Sequence, residues 1–195
     1  ELLLNPPPVT QQVKYSGPPL SIVELDIPDL VKLASRADAI ITIHYWVGDT
    51  VPDGAILMDV RNGTQPLSET QLSQAVEMST QRTIEQDPKY AIRLIVDIGI
   101  RALSEAINDP TTAVQALDQL DDLLRRLGTH ILDVGYAYDH AGALRVVYPT
   151  PTWEDYVDLA LHEIRISGAR DIQVMRRLHA LLLDLIKTVP DDRKR

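Results

Sequence analysis

A chain of 195 residues that is 45% hydrophobic and 24% charged can build one domain with a sizeable core or two small ones. Its net charge of −9 argues against a nucleic-acid partner and against a broad polybasic contact with anionic lipid. The lack of cysteine excludes disulfides, thiolate catalysis and thiolate metal sites, while the lack of phenylalanine has no evident physical reason.

Residues 1–19 carry two proline clusters, Pro6–Pro8 and Pro18–Pro19, and read as an extended linker from an upstream region. The start at Glu1 rather than Met fits a fragment or a processed chain. SIVELDI is a short strand. DIPDLVKLA opens a helix, with Asp26 or Asp29 as cap and Pro28 in the first turn. From Ala39 to Val60 the pattern becomes strands, AIITIHYWV and AILMDV, joined by GDTVPDG, in which Gly48 and Gly54 are expected to take positive backbone angles. VGDTVPDGAIL is similar to the G-D-x-V-x-x-G-x-x-L turn of biotinyl and lipoyl-like barrel-sandwich domains. No lysine lies between Lys32 and Lys89, so the stretch reads as a structural hairpin, and no cofactor is expected.

Beyond Pro66 the chain turns helical. Ser68 with Gln71 has a capping-box spacing that opens a helix to about Gln86. The next helix, from Tyr90 to about Ile107, is apolar nearly all round and is expected to be largely buried. Along it Arg93, Asp97 and Arg101 fall at i, i+4 and i+8, a ladder of alternating charge on one side. A buried charge needs a partner, so Asp97 is expected to be buried and bonded to Arg93, Arg101 or both, with Arg82, Asp87, Asn108 and Asp109 crowding the helix ends. Asp109 before Pro110 predicts a capped helix that turns Leu117, Leu120 and Leu124 inward. Its Asp121–Arg125 and Asp122–Arg126 pairs are expected outside.

HILDVGYAYDHAGALRVVY reads as a hairpin with its tip near Asp139 to Gly142. Thr152 caps a helix bearing Trp153, Tyr156 and Ile164. After Gly168 a last helix carries Ile172, Met175, Leu178, Leu182 and Leu185, and the closing DDRKR reads as a small solvated basic tail. The predicted class is α+β. Residues 20–66 form a small β-rich subdomain of barrel-sandwich-like hairpins, and residues 67–195 form a mainly helical body with an inserted hairpin at 130–148.

No HExxH, no G-x-S-x-G elbow and no phosphate-binding glycine loop occurs, so no catalytic residue and no metal ligand is assigned. The chain also has neither a signal peptide nor an uninterrupted apolar stretch of membrane-spanning length.

The segment Arg82 through Ala113 fits RTxxQDPxxAxRxxxDIxxRALS followed by AxNDPxTA, and HEIRISGARD lies further on. On these residues the chain resembles a bacterial family of predicted membrane proteins, domain of unknown function 2254. Glu105 stands where the family pattern has proline, and GPPLS replaces its usual G-Y-V-like entry. The resemblance implies a soluble C-terminal domain at the cytoplasmic face of the inner membrane, whose upstream membrane-spanning helices lie outside this chain. It brings no activity and no catalytic residues.

The leading expectation is therefore a non-enzymatic domain acting in assembly or gating of a channel-like or transport-like homo-oligomer, through the helices between residues 68 and 127. An alternative is sensing of a small anion by Arg82, Arg93 and Arg101. A third is a hydrolase built on Asp87, Asp97 and Asp109.

Overall fold

The computed structural model describes residues 6–132 and 134–193, and these form two compact units. Residues 1–5, Asp133 of the expected hairpin segment, and Lys194 and Arg195 of the basic tail lie outside the described residues. The first unit takes the chain up to Asp87 together with Val134–Thr150, and the second takes the remainder.

Among the described residues every strand lies in the first unit, and the α+β class is confirmed. A five-stranded sheet has the order β1 (Val9–Lys14), β5 (Ile56–Arg61), β3 (Ile40–Ile43), β8 (Leu144–Val147), β7 (Tyr136–Tyr138). All neighbours are antiparallel except β3 and β8, which run parallel with Ile41 opposite Val146. A smaller sheet has the order β4 (Thr50–Val51), β2 (Leu20–Leu25), β6 (Val76–Ser79). Helix α1 (Ile27–Arg36) packs on β8, β3 and β7. Asp26 caps it by accepting a hydrogen bond from the Asp29 amide at 2.9 Å. Ile22, Leu30, Ile41, Met58 and Val146 centre the core of this unit.

Three expectations need correction here. The supposed linker holds β1, an edge strand whose Val13 enters the core and whose Gln11 ties down Leu67 through both ends of its amide, at 2.9 Å each. An edge position tolerates the neighbouring prolines, which is why they did not prevent a strand. The helix expected from Ser68 to Gln86 stops after one short piece, α2 (Glu69–Gln74), because Val76–Ser79 pairs with β2. Ser68 does cap that piece, accepting from the Gln71 amide. The hairpin β7–β8 does not interrupt the helical body as an insertion of its own. It completes the large sheet through the parallel β3–β8 pairing.

Among its described residues the second unit bundles four α-helices, α3 (Pro88–Ala102), α4 (Pro110–Gly128), α5 (Trp153–Ser167) and α6 (Ile172–Thr188). Helix α3 packs on α4 and α5, and α6 packs on the same two, so α3 and α6 occupy opposite corners. Leu117, Leu120 and Leu124 of α4 are fully enclosed with Ile92, Val96, Ile164 and Leu181. Each such leucine contributes about 2 kcal/mol of burial. Thr152 and Asp155 form a reciprocal capping box at the start of α5, and Asp171 caps α6 by accepting from two amides. Helix α3 ends five residues earlier than its hydrophobic pattern predicts. Ser104 donates back to the Arg101 carbonyl at 2.7 Å, and Asn108 turns into the left-handed region with φ of 48°.

Candidate functional site

The residues singled out in the 82–109 segment do not converge on one site. Arg82 and Asp87 belong to the first unit, where the guanidinium clasps the buried Asp87 carboxylate, its Nε donating at 3.0 Å. Both side chains occupy the space a Cβ on Gly48 would need, and the Gly48 φ of +92° meets the expectation of a positive angle there. The next residue back in the segment, Gln86, accepts from the Leu25 amide. The pair thus closes the loop ahead of α3 over the turn between β3 and β4.

Arg93, in the second unit, lies between two carboxylates. Its Nη2 is 2.6 Å from Asp97 and 3.1 Å from Glu163 of α5, and its Nη1 bonds Glu163 as well. The hydrogen bond from Arg93 lowers the Glu163 pKa, and the same bond raises that of the guanidinium. Asp97 is bonded to Arg93 as expected, but it is not buried, with 46% of its side chain exposed. The face of α3 that carries it is open. Arg101 lies exposed in the last turn and makes no ion pair among the described residues.

Asp109 caps α4, accepting from the Thr112 amide at 3.2 Å and its hydroxyl at 2.5 Å, and these bonds, the hydroxyl first, lower its pKa. Its carboxylate is thereby committed to the helix terminus. Among the described residues, no three His, Asp or Glu side chains gather as metal ligands.

Other ionic knots were not foreseen. Asp121, expected on the outer face of α4, is buried and accepts from Arg177 of α6 at 2.7 Å, while Asp118 takes the same guanidinium at 2.5 Å. The signal was present: Asp121 falls at i+4 from Leu117 and one residue after Leu120, on the inward stripe. In the large sheet Asp59 is buried beneath Gln12, His44 and Arg61, at 2.9, 3.1 and 3.1 Å. Arg61 is two residues along β5 from Asp59, but Gln12 on β1 and His44 just past the end of β3 are brought to it only by the pairing register.

The most distinctive surface is apolar. Helix α6 buries Val174, Leu178, Leu181 and Leu185, yet Ile172, Met175, Leu182, Leu183 and Ile186 lie exposed. Ile172, Met175, His179, Leu182 and Ile186 follow a three-four spacing without a break. At 3.6 residues per turn this stripe is centred about 110° round the helix from the buried one. A groove of about 370 Å³ opens beside it, where Met175 and Leu182 face Val157 and Leu161 of α5. On α3, Leu94 and Ile98 form a second, smaller exposed pair one turn apart, contrary to the expectation that this helix is largely buried. No helix among the described residues is long and apolar enough to cross a membrane.

The chain is 30% identical over 177 residues to uncharacterized proteins of Mycobacterium bovis and Mycobacterium tuberculosis. The match covers 88% of this chain and 34% of each relative, so the chain spans about a third of their length. No solved structure matches it. Residues 6–184 match the family described as predicted membrane protein, domain of unknown function 2254, and the chain belongs to that family.

Proposed function

We propose that this chain is an assembly domain of a membrane protein, held at the cytoplasmic face, which sets the oligomeric state of a channel-like or transport-like complex. The observation that carries this reading is the second apolar stripe of α6. A soluble helix normally turns one apolar stripe inward and a polar face outward. Here the outward stripe has the 3.5-residue average spacing of a coiled-coil seam, which another helix of the same pattern fits by knobs-into-holes packing. A second copy of the chain supplies that helix, and symmetric pairing through one self-complementary patch is the commonest oligomeric arrangement. A contiguous apolar patch of this kind is unusual on a monomer.

Sedimentation velocity over a wide concentration range tests the reading. The chain should associate as concentration rises. Met175→Glu with Leu182→Glu should hold it monomeric, whereas Ile131→Glu, at an exposed position off the α6 stripe, should leave association unchanged. A strict monomer at the highest concentrations would overturn self-assembly of this chain. The anion-sensing reading has less support, because Arg82 and Arg93 are engaged by carboxylates within separate units. The hydrolase reading has less still, with Asp87 and Asp97 paired to arginine and Asp109 committed to a cap.

A further inference from the structure

The first unit has a groove of about 570 Å³ between α1 and the edge strand β7, remote in sequence from the α6 stripe and independent of the assembly reading. Its walls are Ile27 and Val31 of α1 and the ring of Tyr138, an aromatic left 58% exposed on the outer edge of the sheet. Its volume is that of a small-molecule site, and such sites are mostly apolar with a few polar groups that orient the ligand. The cations in the lining have the weaker local partners. Lys32 and Arg36 stand one turn apart on α1, and the imidazole-bearing His140 of the hairpin tip also lines the groove. Arg36 makes no ion pair among the described residues, and Lys32 has only a long, exposed contact of 3.7 Å with Asp29. The carboxylate in the lining, Asp139, is already satisfied by Arg145 at 2.7 Å and by the amides of Ala141 and Ala143. On a chain whose net charge is −9, a cationic rim over an apolar trough is a local reversal of the prevailing sign.

We infer that this groove binds an amphipathic monoanion, an acyl or aryl carboxylate whose apolar body lies against Val31 and Tyr138 and whose charge meets Arg36 and Lys32. The fit requires both parts of the ligand. The wall offers nothing to a small hydrophilic anion beyond a screened surface charge. A neutral apolar ligand would leave the guanidinium unused.

The test is a two-dimensional amide NMR titration of the whole chain with decanoate, decanol and acetate, kept below the aggregation threshold of each. Decanoate should give saturable shifts at amides of α1 and β7, decanol the same shifts at higher concentration, and acetate none. Arg36→Gln should weaken decanoate roughly tenfold and leave decanol unchanged, whereas Tyr138→Ala should weaken both. Both positions are exposed, and retention of the wild-type peak pattern elsewhere confirms that each variant is folded. To separate a free carboxylate from a lipid-borne one, decanoate is compared with vesicles containing oleic acid. Binding to the vesicles alone would reassign the groove to a membrane surface and overturn the small-ligand proposal. The absence of saturable shifts at α1 and β7 would overturn it, as would an equal loss of decanoate and decanol in Arg36→Gln. If the β7 amides instead shift with protein concentration and without ligand, the groove is an edge-strand contact between copies, and the proposal fails.

Discussion

Gly48 shows how much can rest on one missing methyl group. Its φ of +92° is a conformation that side chains of the L series rarely adopt, and a Cβ built there would overlap the Arg82 guanidinium and the Asp87 carboxylate. Gly48→Ala should therefore lower the unfolding free energy by about 1–3 kcal/mol in urea titrations. An unchanged midpoint would mean that the Arg82–Asp87 clasp does not depend on this turn. Asp97 makes the opposite case. Its partner is as expected, but its exposure puts the pair with Arg93 in water, where such contacts contribute below about 1 kcal/mol. Asp97→Ala should cost no more than that, and a loss of several kcal/mol would point to a buried role after all. Spacing along a helix is enough to say that Arg93 and Asp97 share a face. It carries no information about whether another element covers that face, and none about Glu163, which arrives from 70 residues away.

Helix ends were the most legible elements, because a cap is a contract between residues three apart. Ser68, Asp109 and Thr152 each cap the helix that their local sequence announces. Strands were less legible where their pattern was short. VTQQVK and VEMS make sense only beside β5 and β2, partners that local propensity cannot name. The caps and the arginine-paired carboxylates also set the acid response. The Asp109 pKa is lowered by the Thr112 hydroxyl and amide, that of Asp155 by the Thr152 amide and hydroxyl, and those of Glu163 and Asp139 by Arg93 and Arg145. A carboxyl that is more acidic when folded contributes stability that is fully present above its unfolded pKa, about 4, and is lost as pH falls through the folded value. Urea midpoints should thus hold from neutrality to about pH 5 and fall steadily below about pH 4. Asp155→Asn should flatten part of that fall by removing one of the groups that titrates. A midpoint that rises on acidification would contradict the assigned direction.

On the scale of the whole molecule, the hidden feature is the return of residues 134–150 to the first unit, since the β3–β8 pairing joins positions about a hundred residues apart. The four-helix unit has a different large-scale property. Apart from single positions such as Ile107, Ile131 and Ile166, it exposes apolar residues in two groups on opposite corners, a long stripe on α6 and the short Leu94–Ile98 pair on α3. One self-complementary patch closes a dimer and stops, whereas two patches on opposite sides of each copy permit further growth. The α6 stripe offers four large apolar side chains, with Leu183 beside them, against two on α3, so pairing through α6 should form first and contacts through α3 should follow at higher concentration. Leu94→Glu with Ile98→Glu should consequently leave the dimer intact and remove larger species from sedimentation profiles. Combining those changes with Met175→Glu and Leu182→Glu should give a monomer throughout. If the α3 changes alone dissociate the dimer, the order of the two surfaces is reversed, and α3 rather than α6 is the seam on which the assembly is built.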